Sequence, residues 1–195
     1  PSESMRRSCA AWLPSTDMLR FDLSSPQLGT SFHIEVAFPP GFGRLRGPFP
    51  TLILNDAQNQ WTNRGAYGGW HTDSIAADLF RQGRIRPVIL AGVYSPRDRD
   101  RVFGLPPHGR ADRYVDFLAD TLLPALRERI PISRNPVDTG VIGASLGSNV
   151  SIYAGLHRPD GKGRGRFAGT SFSSIIHNLP FFRHNLIGSL HRQGH

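Results

Sequence analysis

The sequence is short of several things, and each shortage removes a class of protein. Cys9 is the only cysteine among 195 residues. A disulfide within the chain, a CxxC redox pair and a cysteine-based zinc site are therefore excluded. No apolar run approaches the ~18 residues of a membrane-spanning helix. HExxH, the EF-hand loop and the phosphate-cradling GxxxxGK[ST] pattern do not occur, and neither metal nor cofactor is expected. The opening PSESMRRSCAAWLP lacks the apolar core of a signal peptide. Cytoplasm is thus the default location, although a chain opening on Pro1 rather than Met leaves room for an upstream segment. Carboxylates are scarce toward the end: beyond Ser145 the only one is Asp160.

Apolar residues make up 38% and charged residues 19%, the balance of a folded globular chain, and the length suits one domain over 1–195. The net charge is +8, with a pI near 10.9. Such a surplus suits a nucleic-acid or anionic-surface partner. The basic residues, however, are scattered arginines with Lys162 the only lysine, and the densest run, RDRDR at 97–101, alternates with aspartate. Nucleic acid is therefore disfavoured as a partner, and a basic binding module stays as an alternative.

Hydrophobic period sets out the elements. FDLSSPQLGTSFHIEVAFPP (21–40) reads as two strands around a Gly29 turn, with Phe32, Ile34, Val36 and Phe38 alternating with His33, Glu35 and Ala37. TLILND (51–56) and PVILAGVYS (87–95) are continuously apolar, as strands buried on both faces of a parallel sheet are. Between them, Thr72 or Asp73 caps a helix with Ile75, Ala76, Leu79 and Phe80 on one face, and Gly83 stops it. Residues 96–110 read as loop. A helix over 111–129 carries the stripe Tyr114, Phe117, Leu118, Leu122 and Leu126, with a kink expected at Pro124. Thr139–Ile142 is a strand, a helix follows to about His157 with Val150, Ile152, Tyr153 and Leu156 along it, and 167–174 is a further strand. Alternating units of this kind predict an α/β fold with a mostly parallel central sheet flanked by helices.

One turn carries candidate chemistry. Gly143-Ala144-Ser145-Leu146-Gly147 sits between an apolar strand and a helix. In a G-x-S-x-G elbow the glycines let strand and helix approach, the serine hydroxyl is exposed, and the next backbone N–H, here of Leu146, faces a developing oxyanion. A serine needs a base and such donors to act as a nucleophile. The competing reading is a tight glycine turn with Ser145 as a helix N-cap.

Several stretches in order then resemble one family. NDAQNQW (55–61) resembles the D-G-Q-N loop after the third strand of the putative-esterase (esterase D-like) branch of the α/β-hydrolases, which includes enterochelin-esterase-like and feruloyl-esterase-like proteins. GGWHTDSIAADLFRQGRIRPVILAGVYSPRDRD (68–100) resembles its tryptophan–aspartate helix, R-P strand and arginine-rich loop. Residues 111–174 resemble its F-L-x-x-x-L-x-P helix, elbow and following strand. The likeness covers about 20–174 and implies an α/β-hydrolase-like fold. It implies Ser145 as nucleophile, oxyanion donors from Leu146 and from the backbone of Ala57 and Gln58, and hydrolysis of a small-molecule ester through an acyl-enzyme. Trp61, Tyr67 and Trp70 flank the DAQN loop, where they either line an acyl pocket or pack the loop. His71 and His108 fall in loops expected on the same side of the sheet, where they either contact substrate or, as the more usual case, lie exposed at the surface.

The sequence departs from this family in places. Ala57 replaces the glycine of D-G-Q-N, and if that position needs a positive φ the methyl costs about 1 kcal/mol. Ser148 stands where a further glycine is common, and GKGRGR (161–166) looks inserted. The C-terminal strands look missing or divergent over 175–195: Asp160 comes too early for the acid of the triad, and His177, His184, His191 and His195 stand in no family-like loop. The acid and histidine are therefore unassigned. A catalytically impaired relative or fragment is the alternative, and the oligomeric state is not readable from the sequence.

Overall fold

The computed structural model describes residues 18–61, 68–156, 167 and 169–173. Strands β1 (Leu19–Ser25) and β2 (Thr30–Ala37) form an antiparallel hairpin. Gly29 in its turn has φ 65°, a conformation cheap only without a Cβ. Phe32, Ile34 and Val36 alternate into the core at 2% exposure or less.

β2 then pairs antiparallel with β4 (Ile89–Val93). From there the sheet is parallel: β4 with β3 (Thr51–Asn55), β3 with β5 (Thr139–Ala144), and β5 with β6 (Gly169–Ser173). The strand order is β1-β2-β4-β3-β5-β6. This is the expected α/β architecture, a mostly parallel sheet with an antiparallel hairpin at one edge. All five residues of β4 are buried, which is why it reads as an unbroken apolar run.

Among the described residues five α-helices flank the sheet: α1 (Thr72–Arg81), α2 (Arg99–Phe103), α3 (Ala111–Phe117), α4 (Leu123–Arg129) and α5 (Leu146–Leu156). Strand alternation sorts the core into two faces. Ile53, Ile89, Ala91 and Val93 join Phe32, Phe103, Tyr114, Phe117 and Leu122 in the main core. Leu54 and Leu90 form a smaller cluster with Ala57 and Trp61, against which Met18, Leu52, Ala76 and Val88 pack.

Local structure differs from expectation at five points. The expected loop at 96–110 contains helix α2, because Val102 and Phe103 find places in the core at 1% and 0% exposure. The stripe from Tyr114 to Leu126 is buried as expected. Its helix, however, is not simply kinked: a π turn over Leu118–Leu122 separates α3 from α4, with Leu123 N–H bonded to Leu118 O and Pro124 in the first turn of α4. Proline lacks an N–H and clashes with the carbonyl four residues back, and a widened turn accommodates both.

Helix α1 is capped differently. His71 holds the N-cap position at φ 56° without a side-chain cap, and the Thr72 hydroxyl donates instead to Gln60 Oε1 at 2.8 Å. Gly83 does end the helix, with Gly83 N–H to Phe80 O and Arg84 N–H to Leu79 O. Ile75, expected on the core face, is 53% exposed, since α1 buries no residue fully and meets the small cluster through Ala76. In α5 the buried face is Gly147, Ser148, Val150, Ser151 and Ala154 rather than Ile152, Tyr153 and Leu156. Small residues let this helix lie close to the sheet.

Candidate active site

Parallel pairing of β3 and β5, with Leu54 opposite Ile142, brings the loops after both strands to the same edge. Among the described residues three other than glycine have positive φ: Asp56 (57°), His71 (56°) and Ser145 (58°). All lie in or beside the loops at this edge. Each such residue carries about 1 kcal/mol or more of strain, and strain of this kind gathers at functional sites.

Ser145 is half-buried and joins β5 to α5. A Cβ placed on Gly143 would stand 2.5 Å from Gly147 O, and one on Gly147 would stand 2.8 Å from Asp56 Oδ2. Both glycines are thus required by close approach, the first of strand to helix and the second of helix to the turn after β3. Ser148 contributes a closure of its own: its N–H bonds Ser145 O at 2.9 Å and its buried hydroxyl donates to Gly143 O at 2.9 Å. Leu146 is the first residue of α5, so its N–H has no partner within the helix.

The turn after β3 is a single 3-10 turn over Ala57–Asn59, closed by Asn59 N–H to Asp56 O and Gln60 N–H to Ala57 O. Ala57 and Gln58 open it, so their N–H groups lack an intrahelical partner as well. The strain considered for Ala57 is absent, because the left-handed residue is Asp56. Ala57 is fully buried, and its methyl occupies room that Gly92 leaves. A Cβ on Gly92 would stand 2.8 Å from Ala57 Cβ and 2.5 Å from Trp61 Cζ2.

Asp56 is held from the loop after β4. Arg99 Nε donates to its Oδ1 at 2.7 Å and the Arg99 terminal nitrogen to its Oδ2 at 2.7 Å. The Ser95 hydroxyl also donates to Oδ1. Gln58 joins the same loop, accepting the Ser95 N–H at 3.1 Å and donating to Ser95 Oγ at 2.6 Å.

Beneath the edge runs a buried polar chain. Tyr114 OH donates to Asn55 Oδ1 at 2.7 Å, Asn55 Nδ2 donates to Ser151 Oγ at 2.9 Å, and Ser151 Oγ donates to Gly147 O at 2.7 Å. It ties β3 to the first turns of α5. Burial holds the Tyr114 phenol well above the ordinary value of 10.0, and the Asp56 charge pushes it further the same way.

The remaining sequence candidates fall as follows. Trp61 is 2% exposed and packs under the turn; of its two expected roles this is the packing one. Trp70 is half-buried and its N–H bonds Asn59 O at 2.8 Å. His108 is exposed in the loop before α3. Tyr67, Asp160, His177, His184, His191 and His195 lie outside the described residues. A histidine–carboxylate pair outside the sequence expectations joins the hairpin strands: His33 Nδ1 lies 2.8 Å from Asp22 Oδ1. Pairing the hairpin around Gly29 on paper would have put these two opposite one another. The pair sits on β1 and β2, and β2 is three strand spacings from β5, about 14 Å, too far to serve Ser145. Among the described residues no cluster of three or more His, Cys, Asp or Glu side chains could hold a metal ion, and no helix is long and apolar enough to cross a membrane.

A family model described as "Putative esterase" matches residues 25–174. The chain belongs to this esterase family. Within and around it, YbbA of Bacillus subtilis strain 168, an uncharacterized protein, is 25% identical over 131 residues, covering 62% of this chain and 49% of YbbA. The chain thus spans about half the length of that curated relative. Among solved structures, an IroE-like serine hydrolase from Shewanella oneidensis superposes with a TM-score of 0.68 at 21% identity, over 91% of this chain and 56% of its own. The ferric enterobactin esterase of Salmonella typhimurium gives 0.64 at 24% identity, over 86% and 38%. At these identities the likeness establishes that this esterase-family chain has the α/β-hydrolase-like fold.

Proposed function

We propose that this esterase-family chain is a serine hydrolase that cleaves small carboxylic esters through an acyl-enzyme on Ser145. The observation that carries the reading is the placement of a positive-φ serine between parallel strand β5 and helix α5, beside the turn whose Ala57 and Gln58 N–H groups lie outside the helical bonding. In this reading Ser145 Oγ attacks the ester carbonyl and its proton passes to a general base. The carbonyl oxygen becomes an oxyanion between the Leu146 N–H and a donor of the Ala57–Gln58 turn, with the positive end of the α5 dipole behind it. The alcohol leaves, an ester forms on Oγ, and water hydrolyses that ester to return the serine.

The test is labelling by a fluorophosphonate probe together with turnover of p-nitrophenyl acetate. Wild type is expected to label and turn over, and Ser145→Ala to lose both. Absence of labelling in wild type, or equal labelling in Ser145→Ala, refutes the reading. Alanine substitution of His71, His108, His177, His184, His191 and His195 in turn identifies the base by loss of labelling.

A further inference from the structure

The turn after β3 and the loop after β4 are joined by an ion pair between buried Asp56 and partly exposed Arg99, which makes no bond in the reaction as written. We propose that Asp56, gripped by Arg99, is the positioning residue of the oxyanion-binding turn. This inference rests on the esterase reading of Ser145.

Three observations converge on Asp56. The first is its backbone: φ 57° is a conformation that a residue with a Cβ keeps only when its surroundings over-determine it. The second is the hold on its side chain. The carboxylate is 5% exposed and receives both arms of the Arg99 guanidinium, plus the Ser95 hydroxyl. A forked, planar donor on both carboxylate oxygens sets a direction as well as a charge. Arg99 is itself anchored, because its guanidinium lies over the Phe103 ring at 5.2 Å and Phe103 is fully buried in the core. The third is what the carboxylate touches on its other side: Oδ2 occupies the space a Gly147 side chain would need, with only 2.8 Å to that Cβ position.

One residue therefore joins the β4 loop, the donor turn that follows it in the chain and the first turn of the elbow helix. Its own carbonyl closes that turn by accepting Asn59 N–H at 2.9 Å. The spacing between the Ala57–Gln58 donors and the Leu146 donor is set across this contact. Arg99, with its charge matched by Asp56, acts on the backbone geometry rather than on a substrate anion. Loosening the grip is expected to misplace donors that matter chiefly once the oxyanion has formed.

The experiment uses the full chain and p-nitrophenyl acetate. Arg99→Lys keeps the charge and loses the fork. Asp56→Asn keeps the shape and loses the charge. Both are expected to lower kcat by about ten- to a hundredfold with KM changed less than about threefold. Affinity for a trifluoromethyl ketone, which forms an oxyanion on the serine, is expected to fall in step with kcat/KM. In Arg99→Ala, added ethylguanidinium is expected to restore part of kcat. Ser95→Ala, which removes one donor to Asp56, is the milder variant should the others fold poorly, and its kcat is expected to fall less than theirs. An active wild type with Arg99→Lys and Asp56→Asn within about twofold of its kcat overturns the positioning role and leaves the esterase reading standing. Losses of kcat that follow the loss of Tm across the variants, without ketone dependence or guanidinium rescue, overturn it too. A wild type inert to both probe and substrate overturns both.

Discussion

Replacing Tyr114 by Phe removes one oxygen from the buried chain under the elbow and should leave a pH-dependent signature. The ring keeps its neighbours, with centroids at 5.7 Å to Phe32, 4.9 Å to Phe103 and 6.1 Å to Phe117. What is lost is the donor to Asn55 Oδ1 at 2.7 Å, between two residues at 0% exposure. Leaving a buried acceptor without its donor costs about 1–3 kcal/mol, so we take about 2 kcal/mol at neutral pH. The alkaline side runs the other way. The folded phenol titrates well above 10.0, because it is desolvated and stands near the Asp56 charge. Its contribution to stability is fully present below the unfolded value and is lost as pH rises toward the folded one. Above about pH 10 the wild type should therefore lose about 1.4 kcal/mol per pH unit from this residue, and the Phe variant nothing. The gap should narrow as pH rises above about 10, since every other titrating group cancels in the difference. Urea unfolding of both proteins at about pH 7, 10 and 11 measures it. A gap below about 0.5 kcal/mol at neutral pH, or one unchanged between about pH 7 and 11, would refute the reasoning.

Other perturbations probe the edge directly. Ala57→Gly should destabilise by about 1–2 kcal/mol, from backbone entropy and a lost buried methyl, and thermal unfolding decides the sign; a stabilised variant would mean that Ala57 is strained after all. Gly147→Ala sets a Cβ against the held Asp56 carboxylate and should cost about 1–3 kcal/mol, seen as a Tm lower by several degrees with slower fluorophosphonate labelling. Gly92→Ala should cost a similar amount by driving its Cβ into Trp61, and near-UV circular dichroism should report the displaced indole.

Much of the frame was legible along the chain because its signals are local. The β1–β2 hairpin follows from period-two alternation around Gly29, and the central strands from unbroken apolar runs. The elbow declared itself by two glycines flanking Ser145, and the structure supplies their reason in the contacts of Gly143 with Gly147 and of Gly147 with Asp56. Helix α2 has no local signal because what holds it is tertiary: Val102 and Phe103 are buried in a core assembled from distant strands, and Arg99 is bonded to Asp56. Ile75 was misplaced because helical period identifies an apolar stripe and says nothing of how deeply the helix sits. A glycine in the family's loop points to a left-handed residue at position 57, whereas in the structure that conformation belongs to Asp56.

Alternation, run length and glycine placement are properties of neighbours in the chain, so the sequence by itself determined the mixed sheet, its mostly parallel order and the serine at the strand-to-helix turn. The pairing of Asp56 with Arg99, 43 residues away, and of Asn55 with Ser151, 96 residues away, was decided only by tertiary structure. No local signal distinguishes these side chains from any other aspartate, arginine, asparagine or serine. Their partners are chosen by which strands lie side by side, and burial at the shared sheet edge makes an unpaired charge or amide costly enough to hold them there.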